Sequence, residues 1–80
     1  MLTAYIRTAM QMAQYKILDD GRYFGEIAGF QGVWASEDAL EECRRVLQEV
    51  LEEWLLLKLR DNEEVPELEG ITLSSKAIKA

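Results

Sequence analysis

The spacing of apolar residues changes twice along the chain, and each spacing predicts a different element. In residues 1–12 apolar side chains recur every three or four positions, which predicts a short amphipathic N-terminal helix. In residues 14–36 the period is two, with glycine-containing turns between runs, which predicts a three-stranded antiparallel meander. Residues 37–60 return to the helical period and predict one long helix.

Turn-forming and capping residues mark the ends of these elements. Gly21 can adopt the positive φ that closes a hairpin. Gly25 leaves one face of the second strand without a side chain, so a helix could approach the sheet closely there. Ser36 is the predicted N-cap of the long helix, with Glu37 in its first turn, and Asn62 is a predicted stop.

Apolar residues of the long helix form a stripe that we expect to face the sheet: Leu40, Cys43, Leu47, Val50, Trp54 and Leu57. Residues 55–57 are three leucines in a row, so they cannot all face one surface. A helix of about 24 residues is about 36 Å long, whereas strands of five or six residues span about 17–20 Å. The end of the helix must therefore extend past its own sheet.

Two coverings for this leucine-rich end remain open. The chain's own N-terminal helix could pack there, or a second subunit could, and both could hold together. The residues involved in either arrangement are Leu2, Ile6, Met10, Leu55, Leu56 and Leu59. Because a chain of 80 residues that is 49% hydrophobic has a thin core, we expect a homo-oligomer.

The predicted fold class is α+β. A three- to four-stranded, mostly antiparallel sheet carries the long helix on one face, with the short N-terminal helix added. Residues 61–73 are a connection and a last strand, residues 74–80 are a tail, and residues 1–80 form a single domain.

Composition narrows the classes of function. The chain has one cysteine and no histidine, so we expect no disulfide within the chain, no metal site and no cofactor. It contains no secretory signal and no apolar run of about 20 residues, which predicts a soluble cytoplasmic protein without membrane contact. The net charge of −6 disfavours direct binding of nucleic acid and suits a basic protein partner.

The order strand–strand–strand–helix–strand, with the stretch YFGEIAGFQGVWASEDALEECRRVLQEVLEEWL, resembles the HicB-type antitoxin domain of type II toxin–antitoxin systems. Residues 23–27 match the aromatic strand of that family, residues 28–32 its turn, and residues 39–42 its helix start. The likeness covers roughly residues 15–73. The turn differs, because Ala28 and Gln31 stand where the family usually has prolines.

This resemblance implies a partial RNase H-like fold and the binding and masking of a small basic mRNA-cleaving toxin of the HicA type. Many family members append a DNA-binding module, but only seven residues follow Leu73, so we expect no direct nucleic acid binding by this chain alone. With the resemblance, the candidate contacts to such a toxin are Glu41, Glu42, Glu49, Glu52, Glu53, Trp34 and Phe30.

Each candidate also has an ordinary structural role. The glutamates could form a solvated helix face, and Glu41 is spaced for an ion pair with Arg45. Alternation places Trp34 opposite Val33 and Ala35, either at an interface or under the N-terminal helix.

We do not expect an enzyme. The sequence does not place a set of carboxylates together to hold a metal ion, and it has no histidine to act as a base. The alternative function is an orphan homo-oligomeric structural or regulatory module with no toxin partner.

Overall fold

The computed structural model describes residues 2–68 and has the predicted α+β fold. A short helix precedes three antiparallel strands in the order β1-β2-β3, and one long helix packs on the sheet. The elements are α1 (Leu2–Gln11), β1 (Ala13–Ile17), β2 (Tyr23–Ile27), β3 (Trp34–Glu37) and α2 (Leu40–Arg60). Within residues 2–68, no helix is both long and apolar enough to span a membrane.

The hairpin between β1 and β2 closes where the sequence predicts. Gly21 has a φ of 88°, a conformation that L side chains rarely adopt, and its N–H donates to the Leu18 carbonyl at 2.9 Å. The Arg22 guanidinium then donates to the Ser36 carbonyl at 2.9 Å and pairs with Asp38 at 3.4 Å. These contacts tie the hairpin to the segment that leads into α2.

The strand register places Tyr15, Gly25 and Ala35 in one row across the sheet, and α2 covers this row. The Cys43 thiol donates to the Ala35 carbonyl at 3.5 Å. A Cβ at Gly25 would lie 3.2 Å from the Cys43 Sγ and 2.8 Å from two ring carbons of Tyr15. The close helix approach predicted at Gly25 is therefore present.

The start of α2 differs from the prediction. Ser36 is not its N-cap, and Glu37 is not in its first turn, because both residues belong to β3. Ser36 pairs with Phe24 of β2, and the helix begins only at Leu40, after Ala39 in an extended conformation without a side-chain cap. Strand pairing already satisfies the backbone of residues 36 and 37, so the local capping preference is overridden.

The buried stripe of α2 also differs. Its fully buried residues are Cys43, Leu47, Leu51 and Leu55, which follow a strict spacing of four. Such a row turns about 40° around the helix at each step, so its two halves face different neighbours. Leu40 and Leu57, predicted on the stripe, lie off this row or beyond the sheet and are 46% and 50% exposed.

The chain itself covers part of the overhanging end of α2. The 21 residues of α2 extend about 32 Å, and strands of four or five residues extend about 13–17 Å. Tyr5, Ala9 and Met10 of α1 are buried in the core, and Leu68 beyond α2 is buried in it as well.

This packing divides the three consecutive leucines. Leu55 is buried, whereas Leu56 is 63% exposed and Leu57 is half exposed. The N-terminal helix therefore covers only part of the leucine-rich end of α2.

Helix α2 ends at the predicted stop. Asn62 has a φ of 58° in the left-handed region, and its N–H donates to the Leu59 carbonyl at 3.2 Å. The Glu63 N–H donates to the Lys58 carbonyl at 2.9 Å, which completes a Schellman motif. The strand predicted at residues 71–73 and the tail at residues 74–80 lie outside the described residues.

Candidate protein-binding surfaces

The first candidate surface is the acidic face of α2, which carries Glu41, Glu42, Glu49, Glu52 and Glu53. Arg45 neutralises part of it by pairing with Glu42 and, at 2.7 Å, with Glu49. The predicted pair of Arg45 with Glu41 does not form. The hydrogen bond and charge of Glu42, and then the charge of Glu49, raise the pKa of Arg45 above its ordinary value.

Three carboxylates of this face remain outside ion pairs with residues 2–68. Glu52 accepts a hydrogen bond from the Gln48 amide at 3.2 Å, which leaves its charge in place. Glu41 and Glu53 are exposed at positions about 18 Å apart along the helix axis. The exposed Leu56 lies three residues after Glu53, just under one helical turn further along α2. The acidic face is thus an exposed negative surface with an apolar side chain next to it.

The second candidate surface is the open face of the sheet, on the side away from α2. Trp34 lies there, opposite the buried Val33 and Ala35, and is 55% exposed. Its indole stacks on the ring of Phe24, with centroids 5.9 Å apart and planes at 23°. The Lys16 Nζ lies 5.2 Å from the centroid of Phe24. Trp34 is therefore neither under the N-terminal helix nor isolated.

Sequence reasoning did not single out Phe24 and Lys16, although the signal was available. In a meander of known register, Lys16 and Phe24 are direct partners on neighbouring strands. Alternation then places both on the same face as Trp34.

Phe30 is a core residue, and its assignment as a surface contact was wrong. Only 3% of it is exposed, and its ring lies 5.2 Å from Trp54 and 6.2 Å from Tyr5 between centroids. The turn around it folds inward, because the Phe30 N–H donates to the Ile27 carbonyl and the Phe30 carbonyl accepts from Val33. This turn directs the side chain beneath both helices.

The third candidate surface is an apolar groove of about 250 Å³ between the two helices. It is lined by Leu2, Ile6, Glu52, Leu55, Leu56 and Leu59. The structure thus brings together five of the six residues that were predicted to cover the leucine-rich end. Leu55 is buried at the floor, and Met10, the sixth residue, is buried in the core, so neither side chain is a free surface for a partner.

Cys43 is the free cysteine of the chain and is fully buried between α2 and the sheet. Burial raises the pKa of its thiol, and the nearby Glu37 raises it further. In the part of the chain that the structure describes, no cluster of three or more His, Cys, Asp or Glu side chains could hold a metal ion. The described surface offers exposed carboxylates, an exposed aromatic pair and an apolar groove. These groups can make noncovalent contacts with other molecules.

A three-stranded antiparallel meander between a short and a long helix defines a small α+β domain. The model of the UPF0150-like family matches residues 4–66, and the chain belongs to this family. The match extends from α1 through the whole sheet and α2 to Pro66.

A solved structure has a similar fold. The chain is similar to TTHA0281 from Thermus thermophilus, known from its crystal structure, with 40% sequence identity and a TM-score of 0.85. The similarity covers 91% of this chain and 91% of that one. The search of curated proteins found no match.

Proposed function

We propose that this protein is an antitoxin-like, homo-oligomeric protein of the cytoplasm that binds and masks a small basic mRNA-cleaving toxin of the HicA type. The observation that carries the proposal is the acidic face of α2, where Glu41, Glu52 and Glu53 are exposed and form no ion pair with residues 2–68. The resemblance of residues 15–73 to HicB-type domains is the reason to expect a toxin of the HicA type as the partner.

The chemistry of such a complex follows from the charges. An enzyme that cleaves RNA holds phosphates with lysine and arginine side chains, and carboxylates at the same positions compete with those phosphates. The net charge of −6 makes this competition favourable and makes nucleic acid binding by the chain alone unfavourable.

The test is co-purification with the product of the adjacent gene, followed by an RNA-cleavage assay. We expect a stoichiometric complex in which cleavage is silenced. A variant with Glu41→Lys and Glu53→Lys should bind the toxin at least about tenfold more weakly. The matched control carries Asp19→Lys and Glu67→Lys, the same change in net charge at exposed residues outside α2.

Two results would count against the proposal. One is a neighbouring product that neither binds this chain nor cleaves RNA. The other is an equal loss of binding in both double variants, which would assign the effect to net charge and not to α2.

The alternative is a homo-oligomeric structural or regulatory module without a toxin, and one observation supports the homo-oligomer that both functions share. Leu56 is 63% exposed and lines the apolar groove between the helices. Light scattering that shows a stable homo-oligomer, together with no binding to the neighbouring product, would support this alternative.

A further inference from the structure

The open face of the sheet pairs a carboxylate with an aromatic ring. Glu26 of β2 is the direct partner of Trp34 of β3 in the antiparallel register, and both side chains are exposed. Residues directly opposite each other on neighbouring strands have Cβ atoms about 4.5–5.5 Å apart. The side chains of Glu26 and Trp34 therefore leave the sheet next to each other, on paired strands.

Each member of this pair has unused binding capacity. Phe24 stacks on the Trp34 indole, and Trp34 as a residue remains 55% exposed. Glu26 makes no hydrogen bond or ion pair with its side chain to any residue in the range 2–68. Helices α1 and α2 lie on the opposite side of the sheet and leave this face open.

The same face already holds a cation against a ring. Lys16 Nζ lies 5.2 Å from the centroid of the Phe24 ring, and Phe24 is in β2, the strand next to that of Trp34. Trp attracts a cation over its face more strongly than Phe does. Trp34, which is partly exposed on the same face, is therefore better suited than Phe24 to attract a cation from a partner.

We propose that Trp34 and Glu26 form a binding site for an arginine side chain of a basic protein partner. A guanidinium group is planar, so it can stack on the indole while its N–H groups donate to the carboxylate at the edge of the stack. An ammonium group cannot make both contacts in the same way, since it is a compact and strongly hydrated charge. The site should therefore prefer arginine to lysine.

This inference deepens the proposed function, on which it rests for the identity of the partner. It adds a second contact, on the opposite side of the sheet from the helices, to the acidic face of α2. A basic partner that reaches both surfaces would extend over an edge of the sheet. The site itself can be tested without that partner.

The probe is a Gly-Ser peptide that carries one arginine, compared with the same peptide carrying one lysine. The readout is the indole N–H signal of Trp34 in NMR spectra of the full chain, assigned by its loss in Trp34→Phe. Trp54 is the internal control, because Phe30 and Lys58 already lie against its ring. We expect the arginine peptide to shift the Trp34 signal in a saturable way and to leave the Trp54 signal in place.

The variant Glu26→Gln should weaken binding of the arginine peptide by about three- to tenfold, and Trp34→Leu should do the same when binding is followed by calorimetry. Asp19→Asn changes the charge equally at the far end of the sheet, and we expect it to alter binding less than about twofold. The lysine peptide should bind more weakly than the arginine peptide, with little dependence on Trp34.

The inference is overturned if the arginine peptide leaves Trp34 unshifted, shifts both tryptophans alike, or loses equal affinity in Glu26→Gln and Asp19→Asn. Its failure is distinct from failure of the proposed function. A toxin that binds equally well to wild type, Glu26→Gln and Trp34→Leu would leave the function standing and remove this site. If the arginine peptide binds as expected but no toxin partner exists, the arginine site stands and the proposed function is removed.

Discussion

The hydroxyl of Tyr5 in α1 donates a hydrogen bond to the carbonyl oxygen of Pro66, 61 positions away in the chain. The Tyr5 side chain is fully buried, and this burial raises its pKa to about 12. The bond joins the first helix to the segment that follows the last one. It therefore helps to hold α1 over the end of α2 that the sheet does not reach.

Removing this bond should cost stability. We expect Tyr5→Phe to lower the free energy of unfolding by about 1 kcal/mol, since it leaves the ring packing in place and the Pro66 carbonyl without its donor. Urea denaturation followed by circular dichroism measures the change. The control is Tyr23→Phe, because the Tyr23 hydroxyl makes no hydrogen bond within residues 2–68. Equal effects of the two substitutions would show that the bond to Pro66 contributes nothing.

The raised pKa of Tyr5 predicts a loss of stability in alkali. Below pH 10 the phenol keeps its proton in both states, so it contributes no dependence on pH. Between pH 10 and about 12 the unfolded chain releases this proton while the folded chain retains it, so stability falls as pH rises. We expect the stability of wild type to decrease relative to Tyr5→Phe over this window. A difference that stays constant from pH 9 to 12 would contradict the assigned burial.

Gly25 should not tolerate a methyl group. The added Cβ would meet the Tyr15 ring at 2.8 Å and the Cys43 Sγ at 3.2 Å, and we expect Gly25→Ala to cost about 1–3 kcal/mol of stability. The Tyr15 ring is the nearest obstacle to the added Cβ, so Gly25→Ala should cost less in a Tyr15→Ala background. A double-mutant cycle by chemical denaturation measures this coupling. Strict additivity would show that the ring does not limit the site.

Asn62 occupies a position that favours glycine. Because its φ of 58° is left-handed, we expect Asn62→Ala to destabilise the protein by about 1 kcal/mol and Asn62→Gly to be neutral or stabilising. Thermal and urea unfolding of both variants check the order. If alanine were tolerated as well as glycine, the end of α2 would not depend on this conformation.

The exposed leucines test assembly. We expect Leu56→Glu to reduce the size of the particle measured by light scattering while changing the secondary structure little, because Leu56 is 63% exposed within one chain. Leu57→Glu is the matched control, because Leu57 is also exposed but does not line the groove between the helices. A Leu56→Glu variant unchanged in size and stability would mean that this side chain is not an interface.

The order and type of the elements followed from the sequence because periodicity is a local property. Side chains of a strand alternate between faces, so residues 14–36 placed Trp34 opposite Ala35 without knowledge of the rest of the fold. The positive φ at Gly21 and Asn62 follows in the same way from residues that tolerate it.

Burial did not follow from local pattern alone. Phe30 lies in a glycine-containing turn, yet its ring packs against Tyr5 and Trp54. Ser36 is a good N-cap by residue type, yet pairing with β2 keeps it in a strand. In both cases contacts between distant segments outweighed a preference of a few neighbouring residues.

The three leucines at the end of α2 show most clearly what the sequence determines and what only the tertiary structure decides. The sequence determined that Leu55, Leu56 and Leu57 must point in three directions, because successive residues of a helix are about 100° apart. Only the tertiary structure decided that Leu55 is buried and the other two are exposed. That choice depends on where α1 lies, and the contact between Tyr5 and Pro66 joins segments that no local pattern connects.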